Sequence, residues 1–299
     1  ELRFGLELFD ISEEAKESDY GIFKGAIENK GIVKCLCVPV ELSRKQVDEL
    51  TTFAQQFGAK GLSWMRITKE GPESSIVKFF GEKVLDKILK KANAKPGTSL
   101  LFVADKASVA NDVLARIRLK FGEELKLYDP KEFNFVWIVD YPLFEWDAEN
   151  DRWSPMHHIF SMPKKESIPY LDKDPGKVLG DLYDLVLNGI ELGSGSVRNH
   201  DPELQAKAFD IIGLKKKDAE QKFGFLLEAF KYGAPPHAGF AIGYDRLIAL
   251  MLGFQDIRDV IAFPKNRAAQ CPMDGCPSPI ADEHLDELNL KLNLAKKKK

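Results

Sequence analysis

The chain has 299 residues, 44% of them apolar and 30% charged, and 43 basic against 46 acidic side chains give it a formal charge of -3. This is the composition of a folded protein with room for two domains of ordinary size, and it excludes a disordered or fibrous chain. Near-balanced charge offers no electrostatic argument for a nucleic-acid partner. Apolar runs such as 136–139 and 247–252 fall far short of the roughly 18 residues a spanning helix needs, and no signal peptide is visible, so a cytoplasmic location is expected.

In chain order, 31–39 (GIVKCLCVP) alternates as a strand does. The segment 43–58 repeats apolar residues at Val47, Leu50, Phe53, Ala54 and Phe57, one face of a helix, with Ser43 and Gln46 as a capping box and Gly58 as its stop. A strand is predicted at 61–68, a helix at 75–92, a strand at 99–104 and a helix at 108–121. Together they make an α/β or α+β module whose charged residues fall on solvated helix faces. Beyond Asp129-Pro130, the run 133–144 (FNFVWIVDYPLF) is strongly β-prone and leads into an Asp-rich turn. Further on, the pattern predicts a helix at 177–187, a strand at 190–197, helices at 202–212 and 217–231, a strand at 239–242 and a helix at 245–252. Asp201-Pro202 is the expected N-cap and first-turn pair of its helix. Short elements with long connections suggest a mixed or antiparallel sheet with helices packed on it. Lys296 to Lys299 read as a solvated basic tail. Cys35 with Cys37, and Cys271 with Cys276, lack the paired spacing of a zinc site, so reduced thiols are expected.

Chemistry is concentrated late in the chain. In IELGSGSVR, strict alternation would place Glu191, Gly193, Gly195 and Val197 on one face and Leu192, Ser194, Ser196 and Arg198 on the other. Glycines inside a strand mark a bulge or a close approach by a ligand or another backbone. A bulge would bring Glu191 and Arg198 toward one cavity, the first able to hold a divalent cation and the second a carboxylate or phosphate. Asp181 and Asp184 fall on the predicted 177–187 helix, Asp184 seven residues before Glu191, and could add to a Mg2+ site or be solvated. His157-His158 lies in an apolar loop, either as packed structure or as a donor to an anionic substrate, while His237 reads as structural. At 243–246, Gly243, Tyr244, Asp245 and Arg246 open a helix where free N–H groups and an arginine suit phosphate, the bland alternative being an N-capping Asp245.

Taken together and in order, MHHIF, YDLVLNGIELGSGSVRNH, PPHAGFAIGYDRLIALMLG and IRDVIAFPKN closely resemble the C-terminal half of bacterial-type aspartyl-tRNA synthetases, the third segment being similar to motif 3 of the class II enzymes. The resemblance covers essentially the whole chain. It implies an α+β fold: a class II antiparallel sheet with flanking helices, incomplete here and interrupted by an inserted α/β-type domain. Residues 16–124 are similar to that inserted (GAD-like) domain, shared with a tRNA-dependent amidotransferase subunit. On this reading residues 1–15 and 125–280 are catalytic-domain segments and 281–299 a C-terminal extension with the basic tail.

The implied activity is that of an aspartate–tRNA ligase, in which ATP and aspartate give aspartyl-adenylate and the aspartyl group passes to the tRNA 3′ end. The implied partners are tRNA-Asp, with tRNA-Asn left open, aspartate, and a second copy in the full-length parent. Arg198 would clamp the side-chain carboxylate of aspartate, His157 would contact the same substrate and His158 is a further candidate. Glu191 would hold ATP through Mg2+ with Asp184, Ser196 lying close by. Gly243, Tyr244, Asp245 and Arg246 match the ATP site. Motifs 1 and 2 and the anticodon-binding domain are not found in these 299 residues, and ELRFGLEL is similar to the segment that follows motif 2. The isolated chain is therefore expected to be inactive. The competing reading is a non-catalytic tRNA-binding module: an amidotransferase-like one should lack GSGSVR and GYDRL, and a synthetase-like one should have lost Glu191, Arg198 or Arg246.

Overall fold

The computed structural model describes residues 1–293, and the basic tail lies outside them. The chain divides into two units: Glu1–Phe135 with Leu187–Ile190, and Val136–Val186 with the residues from Glu191 onward.

In the first unit, β1 (Leu8–Asp10), α1 (Ser12–Lys16), α2 (Gly21–Glu28) and β2 (Ile32–Val38) come first. They are followed by α3 (Arg44–Gln56), β3 (Ser63–Thr68), β4 (Gly71–Glu73), α4 (Glu82–Lys91), β5 (Thr98–Asp105) and α5 (Ala107–Glu124). The strands form one antiparallel sheet in the order β1-β2-β5-β3-β4. All its neighbours are antiparallel, so the module is of the α+β kind. Both faces of the sheet are covered: Leu36, Val38, Leu101 and Val103 pack against α3 and α5, while Val33, Cys35, Leu100 and Phe102 pack with Phe23 of α2 and Val84 and Ile88 of α4. The Ser43 side chain accepts from Gln46 N–H and the Gln46 side chain reaches back to Ser43 N–H, the reciprocal cap that the sequence predicted. The predicted 75–92 helix is shorter. After a 3-10 turn at Val77–Phe79 the backbone runs extended through Phe80, whose ring is buried, and Gly81 caps α4.

The second unit contains all but one residue of β6 (Phe135–Val139), the hairpin of β7 (Phe144–Asp147) and β8 (Arg152–Pro155), then all but one residue each of β9 (Leu182–Leu187) and β10 (Ile190–Val197). After these come α6 (Pro202–Ile211), α7 (Lys216–Lys231), β11 (Ala238–Ile242), α8 (Tyr244–Leu252) and α9 (Asp282–Glu287). Its main sheet is ordered β11-β10-β9-β6. The β-prone run 133–144 is broken at Asp140, whose φ of 64° turns the chain out of β6.

One element overturns its expectation: the segment predicted as a helix at 177–187 is the strand β9. LYDLVL buries Leu182, Asp184 and Val186 at a period of two, and Asn188-Gly189, with φ of 51° and 81°, forms the tight turn into β10. The helical spacing of Asp181 and Asp184 therefore does not exist, and only Asp184 lies within the strand. None of the helices among the described residues is long and apolar enough to cross a membrane.

Candidate functional site

The site is built around β10, and its geometry depends on how β10 pairs with β9. A two-residue turn sets Leu187 opposite Ile190 and, counted outward, Asp181 opposite Ser196. Instead the Val197 N–H donates to the Asp181 carbonyl at 3.0 Å. So β10 carries one residue more than β9, a bulge. The Tyr183 ring lies beside Gly195, so the extra residue falls before that glycine. Past the bulge, Ser194, Ser196 and Arg198 share the face that Asp184 occupies. Counted outward from the turn, Glu191 lies opposite Val186, on that same face. The Tyr141 hydroxyl donates to Asp184 Oδ2 at 2.7 Å. Burial, that hydrogen bond and the charges of Asp184 and Glu191 push its pKa up to about 12.

The glycines serve the opposite face. A Cβ on Gly195 would collide with the Gly239 carbonyl and the Tyr183 ring, and one on Gly193 would meet the Ala241 carbonyl and, at 2.9 Å, the Phe240 ring. Both causes open from the sequence are met: β10 has a bulge, and at Gly193 and Gly195 a neighbouring backbone and aromatic rings approach closely. Trp137 packs edge-on against both Tyr183 and Phe240, with centroids 6.1 and 5.5 Å apart.

At the far end of β10, Arg198 Nη1 donates to His158 Nε2 at 2.6 Å. The hydroxyls of Ser196 and Ser161 each stand 3.3 Å from the same nitrogen. Burial, and then the Arg198 cation and His157, hold the His158 pKa below the usual histidine value, so the ring is neutral and can accept. The loop carrying it is fastened to the strand end: Met162 N–H donates to Val197 O, Asn199 N–H to Phe160 O, and the buried Gln205 amide to Ile159 O. His158 is the histidine that meets Arg198, whereas His157 is exposed and packs edge-on against Tyr141 at 4.8 Å.

At the near end, Gly243 N–H extends the ladder to Leu192 O at 2.8 Å, and Gly243 caps α8 with no side chain on the freed N–H groups. Asp245 lies inside the first turn and is not the cap. Arg246 Nη1 donates to the Glu191 carbonyl at 2.8 Å and lies 3.7 Å from its carboxylate, both side chains about half exposed. Such a pair is weak and can be parted by a competing anion. Tyr244 and Asp245 are exposed at the same helix start.

Two groups of opposite character thus lie along one strand face, with Glu191 and Arg198 at its ends, roughly 20 Å apart by strand rise. One is His158 with Ser196 and Arg198; the other is Asp184 and Glu191 with Tyr141 and Arg246. An 880 Å3 cleft in the first unit and a 550 Å3 groove between α6 and α7 are lined by none of these residues. Tyr141 and Ser161 were not singled out from the sequence. The signal for Tyr141 was its place in the Asp140-Tyr141-Pro142 break of a β-prone run.

A family model described as "tRNA synthetases class II (D, K and N)" matches residues 2–267. The chain is 45% identical over 300 residues to the aspartate--tRNA ligase of Macrococcus caseolyticus, covering 99% of this chain and 51% of that protein. It is 47% identical over 296 residues to an aspartate--tRNA(Asp/Asn) ligase of Caldanaerobacter subterraneus subsp. tengcongensis, covering 98% and 50%. The solved aspartyl tRNA synthetase from Entamoeba histolytica aligns over 81% of this chain and 44% of that one, with a TM-score of 0.36 and 19% identity. The chain spans about half the length of the curated relatives it matches.

Proposed function

We propose, from the premise that this chain belongs to the class II tRNA synthetases of the D, K and N group, that it carries the aspartate-recognising part of an aspartate–tRNA ligase. The whole protein would join ATP to aspartate, release pyrophosphate, and transfer the aspartyl group to the 3′ end of tRNA-Asp; tRNA-Asn is a second candidate, to be separated by charging assays. The observation that carries the reading is the His158–Arg198 contact at 2.6 Å, backed by Ser196, on the strand face shared with Asp184 and Glu191.

Arg198 offers donors only, in a planar fork that matches a carboxylate. The side-chain carboxylate of aspartate satisfies it, whereas the amide of asparagine would leave a donor facing a donor. Neutral His158 holds the guanidinium in place, and His157, on its exposed side of the loop, completes the aspartate end. Toward the other end, the free N–H groups at Tyr244 and Asp245, together with Arg246, receive phosphate oxygens once these displace Glu191 from Arg246. Such a reaction needs no protein nucleophile: the residues align carboxylate and α-phosphate and neutralise charge at phosphorus.

Asp184 and Glu191 suit Mg2+. Both are hard oxygen ligands, and among the described residues no group of three or more His, Cys, Asp or Glu is gathered. A pair fits an ion that completes its shell with water and substrate phosphates, and an all-protein cage is not needed. When bound, that ion would supply charge neutralisation and orientation to the triphosphate. Residues 16–124 are read as an inserted domain between the catalytic segments 1–15 and 125–280, with 281–299 as an extension, and the full-length protein as a homodimer.

The test joins these 299 residues to the N-terminal half of the Macrococcus caseolyticus relative and measures pyrophosphate exchange into ATP. Exchange driven by aspartate and not by asparagine is expected. Exchange that is equal with the two amino acids would sink the reading. The isolated chain is expected to give none, and detectable aspartate-dependent exchange from it would overturn that part.

A further inference from the structure

The loop at the C-terminal side of α8 contains a second pair of sulfurs, and nothing in the synthetase reading uses it. Cys271 is buried and Cys276 is exposed. The Cys271 N–H donates to the Cys276 carbonyl at 2.7 Å, and the Gly275 N–H returns to the Cys271 carbonyl at 2.9 Å. A direct N–H to O=C bond between two residues keeps their Cα atoms within about 6 Å, inside the 4.4–6.8 Å range of disulfides. Asp274 fixes the loop from within: its carboxylate accepts from Cys276 N–H at 2.9 Å. That bond and a hydrogen bond from the Cys271 thiol hold its pKa below the usual carboxylate value. Just upstream, Asn266 N–H donates to Gln270 O, and Asn266 Oδ1 accepts from the Ala268 and Gln270 N–H groups, so the entry to the loop is also pinned. Among the described residues no group of three or more His, Cys, Asp or Glu is gathered to hold a metal ion.

The other two cysteines provide a contrast within the same molecule. Cys35 and Cys37 lie two apart on β2, where strand rise puts their Cα atoms about 6.6 Å apart at the limit of the range. Burial pushes the Cys35 thiol up to about 12 and raises that of Cys37, so neither forms thiolate readily.

We propose that Cys271 and Cys276 are a modification site: a dithiol that a peroxide converts to an intraloop disulfide and that a small dithiol restores. The exposed Cys276 thiolate attacks the peroxide, so that an S–O bond forms, the O–O bond breaks, and hydroxide leaves and is protonated to water. Cys271 sulfur then attacks the resulting sulfenic acid; the S–S bond forms, the S–O bond breaks, and the departing oxygen leaves as water with the Cys271 proton. Two thiols and one peroxide give one disulfide and two waters. The pair is organised by the fold and is independent of whether the chain activates aspartate.

The experiment treats the folded 299-residue chain with equimolar hydrogen peroxide, blocks remaining thiols with iodoacetamide, digests with trypsin and weighs the peptides. Peptide 268–291 contains Cys271 and Cys276 and no other cysteine, and peptide 35–44 contains Cys35 and Cys37. The expected result is an unalkylated 268–291 lighter by two hydrogens, returned to the doubly alkylated form by dithiothreitol, while 35–44 stays doubly alkylated. Formation should be about tenfold faster in the folded chain than in concentrated urea, because the fold holds the two sulfurs together. Cys271→Ser should lose the disulfide and leave Cys276 as a sulfenic acid trappable by dimedone. The proposal is overturned by equal rates in urea and buffer, by 35–44 oxidising first, or by 268–291 going straight to sulfinic acid with no disulfide.

Discussion

β5 and β10 are both eight-residue strands inside antiparallel sheets, and they are put to opposite uses. From Ser99 to Val103, β5 buries five residues in a row, and helices cover it on both sides. β10 buries only Leu192, Gly193 and Ser196, keeps Glu191 and Ser194 exposed, and spends one residue on a bulge. On its aromatic side Trp137 remains 54% exposed and Phe240 41%. A strand filled on both faces has no side chain left for a ligand, whereas a strand with one polar face can carry a row of charged groups. The price is a fold determined by fewer apolar contacts.

The largest effect that separates the two belongs to Arg198. Arg198→Leu in the joined full-length protein should lower kcat/KM for aspartate by at least about 1000-fold, roughly 4 kcal/mol of lost transition-state stabilisation, with little change in melting temperature. A variant with near-normal kcat/KM would mean that β10 is not the recognition strand. Leu101→Ala on β5 should do the reverse. It opens a cavity in a fully packed face, costs about 3 kcal/mol in urea unfolding, and should leave aspartate dependence intact. If that substitution proved harmless, the first unit would not be held by its central strand.

Ser43→Ala tests a smaller term in the same unit. Losing the side-chain half of the reciprocal cap on α3 should cost about 1 kcal/mol, read as a shift in urea midpoint at unchanged slope. The smallest effect is acid sensitivity at His158. Its folded pKa is lowered, so the unfolded chain takes up the proton first as pH falls through the ordinary histidine value of about 6.5. The contribution of the neutral ring to stability is therefore present above that value and is lost on descent toward the lower folded pKa. Melting temperature recorded from neutral to mildly acidic pH should fall less steeply in His158→Gln than in the parent. Parallel curves would show that His158 is not buried as a neutral acceptor.

Local signals were the readable ones. Ser43 with Gln46 declared a helix start because both partners lie within one turn, and Ile190 to Val197 was delimited correctly by its own alternation and flanking turn residues. β9 was misread although its evidence was equally local: Asn188-Gly189 is a hairpin signal, and Leu182, Asp184 and Val186 keep a period of two that the apolar leucines at 182, 185 and 187 obscured. Phe80 and Gly81 interrupt what composition presents as one helix, because burial of the phenylalanine outweighs continuation of the turn.

Within the candidate site, the presence of Glu191, Arg198 and Arg246 was legible, but their arrangement was not. Arg198 meets His158 across 40 residues, and Tyr141 meets Asp184 across 43. The face each strand residue occupies depends on pairing, which periodicity alone cannot supply.

The bulge in β10 also limits what can happen to the gene. Loss of the codon for Gly195 or Val197, past the bulge, would turn Arg198 over to the side of Tyr183 and Trp137, although the strand would keep its hydrophobic character, whereas loss of the extra residue itself would leave Ser194, Ser196 and Arg198 on the face of Asp184. The tip between β7 and β8, by contrast, can gain or lose a residue without re-aiming anything. Length in this protein is therefore inherited under two different rules, strict in the part of one strand that follows its bulge and loose at a nearby turn. A frame-preserving deletion series across both would reveal the difference without altering a single functional side chain.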